Sequence, residues 1–539
     1  MYQFEGKSVY QGIAIGPVKV LKPRSVTVTQ EQIADVEAAC ARVEAAIGEA
    51  QQELDALYDK TVETVGEEEA AIFEVHQMML EDEDYLEAIY TSIREEKMNA
   101  AYAVLQAGNT FSEMFAAIDD AYMQARAVDV KDISQRVIRI LTGANTNALS
   151  TDEPVIIMAD DLTPSETMQF EKEHLLAFVT VHGSANSHTA ILARTMNLPA
   201  LVGVSMDLSE LTDGTLAIVD GKSGIVIYDP DEKQLEEARR ELAKEQAKKE
   251  LLLQLKGEKT QTKSGKKINL YANIGNVEDV SFVLENDAEG IGLFRSEFLY
   301  IGRDALPTEE EQYLAYRQVL EQMENKKVII RTLDIGADKK ADYLGLEEEE
   351  NPALGYRAIR ICLTQTDIFK TQLRALLRAA VHGNLSIMYP MIISVEEVEK
   401  IKAIVAEVAA ELEAQSVAYR IPEQGIMIET PAAVMISVRL AELVDFFSVG
   451  TNDLTQYTLA IDRQNNRLDA FYEPHHEAVL RMIKMAADAA HAAGKWIGIC
   501  GELGADMDLT EQFIEMGIDE LSVAPPMILP LRATIRACE

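Results

Sequence analysis

The C-terminal half of the chain contains eight short apolar runs, most of them separated by segments with helical periodicity. The runs span residues 270–272, 292–294, 328–330, 386–389, 426–428, 446–449, 496–499 and 521–523. Eight strands that alternate with helices over about 270 residues match the count and length of a (β/α)8 barrel. We therefore predict that residues 260–539 form a closed barrel of parallel strands.

Polar residues directly follow six of these runs. They are Asn273, Arg295, Arg331, Glu429, residues 450–453 and residues 500–502. In a barrel, the residues just beyond the C-terminal ends of the strands converge on one face, which carries the active site of barrel enzymes. A single polar residue at a strand end often only bonds to a neighbouring loop. Two arginines, two acids and a thiol are costly to gather unless they are paired or bind a ligand, so we predict a ligand site at this face.

The residue types at this face indicate the chemistry of the ligand. Glu429 and Asp453 offer hard oxygen ligands, and two carboxylates with substrate oxygens and water are typical of Mg2+. Cys500 follows a strand of the same face, and a thiol beside cations has a pKa suited to general acid catalysis. These features favour phosphoryl transfer with an enol or enolate leaving group. The forked donors for phosphate and carboxylate oxygens are Arg295, Arg331, Arg357 and Arg463.

The N-terminal half combines two strand-rich pieces with a long helical block. Residues 29–142 show the periodicity of four or five helices with short polar links, which is typical of a helical bundle. Because this block interrupts the strand-rich pieces, we interpret it as an insertion into one α/β domain made of residues 1–28 and 143–228. Residues 229–259 begin with an N-cap candidate, a proline and acids, which predicts a linker helix.

His188 lies where an apolar strand, residues 175–180, is followed through a loop by a segment with helical spacing, residues 189–194. A helix N-terminus combines free backbone N–H groups with a positive dipole end, so it tolerates an anion on or near the imidazole. A lone loop histidine is more often a surface residue or a partner of a backbone carbonyl. The local sequence does not decide between these roles.

Composition and charge narrow the class of protein further. The 90 acidic residues against 50 basic residues give a net charge of −40, which repels nucleic acid and anionic membranes and fits either a basic protein partner or plain cytosolic solubility. The four cysteines lie far apart without a CxxC pair, as reduced cytosolic thiols do. The N-terminus has no apolar signal-peptide core, and no run is long enough to span a membrane. We expect a cytoplasmic chain that is not inserted in a membrane.

Several long strings of the barrel half resemble one protein family. They are GLFRSEFL at 292–299, IRTLDIG at 330–336, ETPAA at 429–433, GTNDLTQY at 450–457 and CGEL at 500–503. These strings are similar to those of Enzyme I of the bacterial phosphoenolpyruvate-dependent sugar phosphotransferase system. The resemblance runs from Gly12 to about Pro526 in the family's order, and it includes DLTPSET at 161–167 ahead of His188.

The resemblance implies an α/β multidomain fold with a swivelling phosphohistidine domain, an inserted helical bundle, a linker helix and a C-terminal TIM barrel. It implies that phosphoenolpyruvate binds at the barrel mouth, with Mg2+ on Glu429 and Asp453. His188 would attack phosphorus, Thr167 would hydrogen-bond its ring, and Cys500 would protonate the enolate carbon to give pyruvate. The phosphate and carboxylate would be held by Arg295, Arg331, Arg463 and Asn452.

The resemblance also implies partners. A small histidine-containing phosphocarrier protein would dock on the helical insertion, and the barrel would form a homodimer. Because one histidine would serve both the barrel and the carrier, we expect its domain to swivel about residues 229–259. An ordinary amphipathic helix packed on its neighbour accounts equally well for any one residue of the expected docking surface. That surface comprises Glu67, Glu68, Phe73, Glu74, His76, Met78 and Glu83.

Two rival functions remain at this point. A pyruvate phosphate dikinase or phosphoenolpyruvate synthase shares the histidine domain and the barrel, but such enzymes also carry a large nucleotide-binding domain that we do not find in this sequence. A non-catalytic phosphosensor or scaffold is the rival from another class. It is favoured if the loop before His188 has lost activity, because Ala185 and Asn186 stand where the family usually has Arg and Thr.

We predict that Ala185→Arg raises the rate at which His188 is phosphorylated by phosphoenolpyruvate. The added cation would stabilise the phosphoryl group by about 1 to 3 kcal/mol, the range of a charge-assisted contact. Rapid-quench measurement of label on the protein checks this. An unchanged rate would show that the departure at this position does not limit phosphotransfer.

Overall fold

The computed structural model describes most of the chain. The described residues are 2–21, 28–64, 67–118, 121–143, 153–167, 170, 174–183, 188–196, 198–303, 305–336, 342–347, 349–463 and 465–539. For some of these residues the structure describes the backbone but not the side chain. They are residues 63–64, 67–69, 121–125, 188, 191–192, 195, 342, 466 and 469–470. Two compact units, Met1–Ala247 and Lys248–Glu539, divide the chain.

The first unit contains an eight-stranded mixed sheet. Its strands are β1 (Tyr2–Glu5), β2 (Lys7–Tyr10), β3 (Ile13–Leu21), β4 (Val155–Ala159), β5 (Leu175–Thr180), β6 (Ala200–Val202), β7 (Leu216–Asp220) and β8 (Ile225–Tyr228). The strand order is β1, β8, β7, β3, β4, β5, β6, β2, with β3 to β6 parallel. The apolar runs of β4 and β5 are buried on both faces, as parallel strands usually are. The pairing of β3 with β4 joins the two strand-rich pieces of the sequence in one sheet.

Five helices lie between β3 and β4 in the chain. They are α1 (Val36–Thr64), α2 (Glu67–Leu80), α3 (Glu83–Arg94), α4 (Ala100–Ala116) and α5 (Ala121–Thr142). The helical periodicity begins at Glu31, but α1 begins only at Val36. Residues 31–33 are held extended by backbone hydrogen bonds to residues 97–99, and the Asp35 carboxylate caps the Ala38 N–H at 3.0 Å.

The expected carrier-docking surface on α2 needs correction. Phe73 and His76 are fully buried and therefore belong to the core of the bundle. His76 Nε2 lies 3.3 Å from the Asp129 carboxylate, and its Nδ1 lies 3.8 Å from that of Asp132. Met78, in contrast, is 62% exposed. Phe73, His76 and Leu80 recur at helical spacing, and this spacing turns them toward neighbouring helices.

Three more of the described helices begin in the first unit, and the sequence predicts the second and third of them. They are α6 (Pro164–Thr167) and α7 (His188–Met196), with α8 (Glu232–Leu253) running on into the second unit. The strand β5 precedes α7, so His188 occupies the first helical turn after a strand and loop. The long helix α8 has no buried residue. Across the described residues, we find no helix with the length and apolar character that crossing a membrane requires.

The second unit is a closed barrel of eight parallel strands, as predicted. Each of the eight apolar runs lies within one strand. The strands are β9 (Asn269–Ile274), β10 (Gly290–Arg295), β11 (Lys327–Arg331), β12 (Asn384–Tyr389), β13 (Glu423–Ile428), β14 (Phe446–Val449), β15 (Trp496–Ile499) and β16 (Glu520–Val523). Strand β16 pairs with β9 and closes the barrel.

Helices cover the outside of this barrel. They are α9 (Val280–Glu285), α10 (Glu309–Gln322), α11 (Ile359–Thr364), α12 (Thr366–Ala379), α13 (Val395–Ala414), α14 (Pro431–Met435), α15 (Ser437–Ala441), α16 (Thr451–Leu459), α17 (Glu477–Ala492), α18 (Thr510–Met516) and α19 (Ile528–Ala537). Two of the longer ones, α10 and α13, start with a complete capping box, at Thr308 and at Ser394. Their buried apolar faces join one large core that surrounds the strands.

The barrel interior contains an unusual buried acid. Barrel interiors are normally filled by branched apolar side chains, yet Glu520 of β16 is fully buried there, and neither of its carboxyl oxygens has a hydrogen-bond partner among the described residues. Gly292 and Gly498 leave room for it, because a Cβ at either position would collide with the carboxyl group. Burial raises the pKa of Glu520 well above its usual value, and Lys327 opposes this only in part.

We predict that Glu520→Gln stabilises the barrel above pH 5. A carboxyl group with a raised folded-state pKa keeps its proton after the unfolded chain has lost its own, so wild-type stability falls as pH rises above about 4.3. Thermal unfolding should therefore give equal midpoints for both proteins at pH 4 and a higher midpoint for the variant at pH 8.

Glu423 provides a control of opposite sign. Burial tends to raise the pKa of Glu423, but the hydrogen bond and the positive charge of Lys327 lower this pKa below its usual value. Glu423→Gln should therefore be less stable than wild type at pH 8, with a smaller difference at low pH. Equal midpoints of Glu520→Gln and wild type at pH 8 would contradict a protonated Glu520.

Candidate active site

A cavity of about 1250 Å³ opens at the C-terminal ends of the barrel strands. Eight residues that the sequence singles out line it together: Arg295, Arg331, Arg357, Glu429, Asn452, Asp453, Arg463 and Cys500. Asp334 lines the same cavity, and so does Asn273, which the sequence also singles out, near the end of β9. The convergence follows from the fold, because each of these residues lies at or near the C-terminal end of a strand or in the segment that follows one.

Arg331 is the last residue of β11 and is held from two sides. Its Nη2 donates to the Glu297 carboxylate, and its Nη1 lies 2.9 Å from Asp334 Oδ2. Burial disfavours the charge, but Glu297 and Asp334 outweigh it and raise the pKa of Arg331 above the usual value. Arg331 is thus a permanent cation with a fixed orientation.

A chain of alternating charges extends from Arg331 across the cavity. Asp334 Oδ1 lies 2.7 Å from Arg357 Nη2, and the same nitrogen lies 3.5 Å from Asp453. Asp453 in turn lies 3.2 Å from Arg463. We refer to these six residues as the ion-pair chain: Glu297, Arg331, Asp334, Arg357, Asp453 and Arg463.

Glu429 and Asp453 are both buried and repel one another. Glu429 is only 2% exposed, and its Oε1 accepts a hydrogen bond of 2.6 Å from the Met391 N–H. Burial, and then the charges of Asp453 and Asp334, raise the pKa of Glu429 to about 8 against the lowering effect of Arg331. Carboxylates that are gathered at such a cost fit a divalent cation, which would relieve their repulsion.

The donor set is incomplete for a cation held by protein alone. Among the described residues, no group of three or more His, Cys, Asp or Glu side chains is arranged to hold a metal ion. Two carboxylates with further oxygens from ligand and water are the usual arrangement for Mg2+. The residues present therefore fit a cation that binds together with an anionic ligand.

Cys500 follows β15 and is 3% exposed. Its Sγ lies 3.7 Å from the Val449 carbonyl oxygen. Burial raises the pKa of the Cys500 thiol to about 12, although Ser448 and Arg331 act in the opposite direction. The sequence suggests that neighbouring cations tune this thiol. In the structure burial dominates instead, so the thiol carries a proton at neutral pH.

Three further polar side chains lie toward the opening of the cavity. Arg295 is the exposed last residue of β10. Asn452 lies in the first turn of α16, where its Nδ2 donates to Glu502 Oε1 at 2.9 Å and its Oδ1 accepts from the Glu502 N–H at 3.0 Å. Arg463 follows α16, which ends at Ala460 with a φ of 55°. Arg295, and Arg463 at the exposed end of the ion-pair chain, can adjust to a ligand more freely than the largely buried Arg331 and Arg357.

The two remaining predicted site residues belong to the first unit. His188 is the first residue of α7, but its side chain lies outside the described part of the structure, as do residues 184–187 with Ala185 and Asn186. Thr167 is the buried last residue of α6. Its hydroxyl donates to the Pro164 carbonyl at 2.8 Å, so it can only accept a hydrogen bond from another group.

Comparison with known proteins adds family matches along the chain. Residues 249–539 match the family described as PEP-utilising enzyme, PEP-binding domain. Residues 5–126 match the N-terminal domain of PEP-utilising enzymes, and residues 151–224 match their mobile domain. The chain is 45% identical to the phosphoenolpyruvate-protein phosphotransferase of Geobacillus stearothermophilus, over 98% of this chain and 92% of that protein. It is 43% identical to that of Bacillus subtilis, over 99% and 94%.

The chain belongs to the phosphoenolpyruvate-protein phosphotransferase family. This confirms the resemblance that the sequence strings indicate. It also confirms the fold class, since the matched domains and the closed barrel agree.

Sequence reasoning missed part of the site of this phosphotransferase-family chain. Glu297 and Asp334 lie inside the strings at 292–299 and 330–336, but their pairing with Arg331 was not predicted. The spacing of Arg331 and Asp334, three residues apart, is a local signal that could have indicated the second pair. Arg357 was identified only as a forked donor, whereas in the structure it joins Asp334 to Asp453.

We predict that Arg357→Met destabilises the barrel by about 3 kcal/mol, because it removes one partner of a buried ion pair and leaves carboxylates uncompensated. Arg463→Met is the matched control. The Arg463 side chain is 39% exposed, so its loss should cost less than about 1 kcal/mol. Urea unfolding of both variants checks this, and equal losses would contradict the structural role of the ion-pair chain.

Proposed function

We propose that this protein transfers the phosphoryl group of phosphoenolpyruvate to its own His188 and releases pyruvate. It then passes the group to a histidine of a small phosphocarrier protein, the first step of sugar uptake by the phosphotransferase system. The observation that carries the proposal is the cavity, where fixed arginines, two repelling carboxylates and a protonated thiol meet. A substrate with phosphate, carboxylate and a carbon to be protonated matches all three features.

The substrate anion binds to the cations of the cavity. Arg331 is already oriented by Glu297 and Asp334, so little side-chain entropy is lost when it meets the ligand. Arg295, Arg463 and Asn452 lie at more accessible positions and complete the contacts to phosphate and carboxylate. Such preorganised donors supply most of the stabilisation in phosphoryl transfer, because the enzyme has little covalent work to do on phosphorus.

Glu429 and Asp453 hold the divalent cation, which we propose to be Mg2+. When bound, the cation neutralises phosphate charge and fixes the orientation of the substrate. The two carboxylates supply hard oxygen ligands, and the Met391 N–H orients the Glu429 carboxylate. Arg357 stays beside Asp453 and limits its movement.

His188 is the nucleophile. As the first residue of α7, it lies at the positive dipole end of that helix, which favours an added phosphoryl anion. We propose that the ring donates its N–H to Thr167, whose hydroxyl is already committed as a donor to Pro164. The other ring nitrogen then keeps its lone pair for attack on phosphorus.

Cys500 completes the reaction by donating its proton to the methylene carbon of the enolate. The buried thiol holds this proton at neutral pH, and the carbanion-like carbon of an enolate is basic enough to take it. Conversion of the enolate to the ketone makes the transfer favourable, so the phosphohistidine accumulates.

The proposed partners rest on surface properties. The net charge of −40 favours a basic carrier protein. With Phe73 and His76 buried, the docking surface on the helical insertion reduces to exposed residues such as Glu74, Met78 and Glu83. We propose that the barrel forms a homodimer, that the first unit moves during the cycle, and that the protein acts in the cytoplasm, where its four free cysteines stay reduced.

Incubation with 32P-labelled phosphoenolpyruvate and Mg2+ tests the function. We expect stoichiometric, acid-labile label on the wild-type chain, one pyruvate released per label, and no label on His188→Ala. A chelator should abolish labelling of the wild type. An unlabelled wild-type chain would favour the scaffold role instead.

A further inference from the structure

Three neighbouring strands place a row of residues across the barrel interior beneath the active-site cavity. In the strand register, Ser448 of β14 lies opposite Gly498 of β15, and Gly498 lies opposite Glu520 of β16. A Cβ at Gly498 would collide with Oε2 of Glu520. The Glu520 carboxyl group therefore occupies the space over the glycine, in the row that contains Ser448.

Cys500 lies directly above this row. It follows Gly498 by two residues and so shares its face, at about 7 Å along the strand. The Ser448 hydroxyl is fully buried, has no hydrogen-bond partner among the described side chains and backbone, and lies near enough to the thiol to lower its pKa. Ser448 thus has the thiol above it and the acid across the glycine.

The lower end of this interior reaches water. Lys327 and Glu423 start strands β11 and β13 at the N-terminal opening of the barrel, and they form an ion pair. Their side chains are 21% and 30% exposed. Ser386 donates to the same Glu423 carboxylate at 2.9 Å. Protons can therefore enter the barrel at this end.

We propose that Glu520 supplies protons to Cys500 through the Ser448 hydroxyl, so that the acid of the reaction is recharged through the barrel interior. This proposal rests on the proposed phosphotransfer. Glu520 acts through Cys500 and does not touch the substrate, so it is a positioning residue for the proton and not itself a catalytic residue.

The proton balance closes at every step. The S–H bond of Cys500 breaks as the C–H bond of pyruvate forms, which leaves a thiolate. Ser448 and Glu520 are not hydrogen-bonded to each other or to Cys500 in the structure, so their side chains turn toward one another for the transfer. The Ser448 hydroxyl then gives its proton to this thiolate and takes the proton of the Glu520 carboxyl group. Glu520 is left as a carboxylate near the Lys327 ammonium, and water at the N-terminal opening returns the proton to it.

The surroundings of Glu520 suit this role better than a structural one. Buried carboxyl groups with a structural role normally have hydrogen-bond partners, and Glu520 has none among the described residues. The titratable groups whose charge acts on Glu520, or on which its charge acts, are Lys327 of β11, Tyr271 of β9 and Cys500 after β15, and Glu423 of β13 is paired with Lys327. Lys327 is the cation among them and stabilises the carboxylate form after proton release.

Isotope exchange separates this inference from the proposed function. Enzyme, Mg2+ and unlabelled phosphoenolpyruvate are incubated in water with pyruvate that carries 13C and a fully deuterated methyl group. Movement of 13C into phosphoenolpyruvate reports phosphotransfer and its reversal. In that reversal Cys500 takes a deuteron from pyruvate, and the deuteron is then either lost to water or passed to pyruvate formed from unlabelled phosphoenolpyruvate.

We expect the wild type to lose most of this deuterium to water. In Glu520→Gln and in Ser448→Ala the carbon exchange should stay within about twofold of wild type, whereas deuterium loss per carbon exchanged should fall by about tenfold. Glu289 directly precedes β10 and lies outside the row, so Glu289→Gln makes the same chemical change there and should behave as wild type. If Glu520→Gln folds poorly, Ser448→Ala alone decides.

Two outcomes overturn the idea in distinguishable ways. Normal carbon exchange with unchanged deuterium loss in both variants overturns the proton route and leaves the proposed function intact. Absence of carbon exchange in the wild type overturns the proposed function and the proton route with it.

Discussion

The cavity depends on the ion-pair chain, in which the largely buried Arg331 and Arg357 each lie between two acids and the more exposed Arg463 lies beside one. Its three arginines and three acids balance, so the cost of removing them from water is offset within the protein and not by the ligand. Four further acids also line the cavity: Asp279, Glu350, Asp462 and Glu502. Its remaining charged residues outside the ion-pair chain are the buried acid Glu429 and the exposed cation Arg295. A divalent cation and an anionic substrate complement these two, which explains why both would bind together.

The barrel could be predicted from sequence because its signal is local and repeated. Each strand contains a short apolar run, and polar residues at the mouth such as Glu429 and Cys500 directly follow one, so these residues could be assigned to the mouth without knowing how the strands pair. The ion-pair chain could not be predicted in this way. Arg357 reaches Asp334 and Asp453 from a loop whose next residue, Ala358, has a φ of 53°, and no local pattern specifies that path. The sequence also does not predict that Glu520 points into the barrel, because this depends on how β16 is aligned with β15.

The first unit shows the limit of helical periodicity. The pattern of α2 correctly predicts an amphipathic helix, but it does not tell which face is covered by α1 and α5 and which meets a partner. Phe73 and His76 belong to the covered face. The start of α1 is set by pairing with residues 97–99, more than 60 positions away in sequence. The buried face of α2 and the start of α1 are both set by contacts between segments that are distant in sequence. Such contacts cannot be predicted from the local pattern of a single sequence.

The same charges that hold a substrate anion also restrict how a proton can enter the cavity. The guanidinium groups of Arg331 and Arg357 have pKa values raised by neighbouring acids, so they do not release protons at any physiological pH. Glu429 and Asp453 are committed as cation ligands in the proposed reaction. Cys500 is therefore left as the proton donor. Substrate bound in the cavity would separate its thiol from the solvent at the cavity opening. A barrel has a second opening, and the unpaired Glu520 lies between that opening and the thiol.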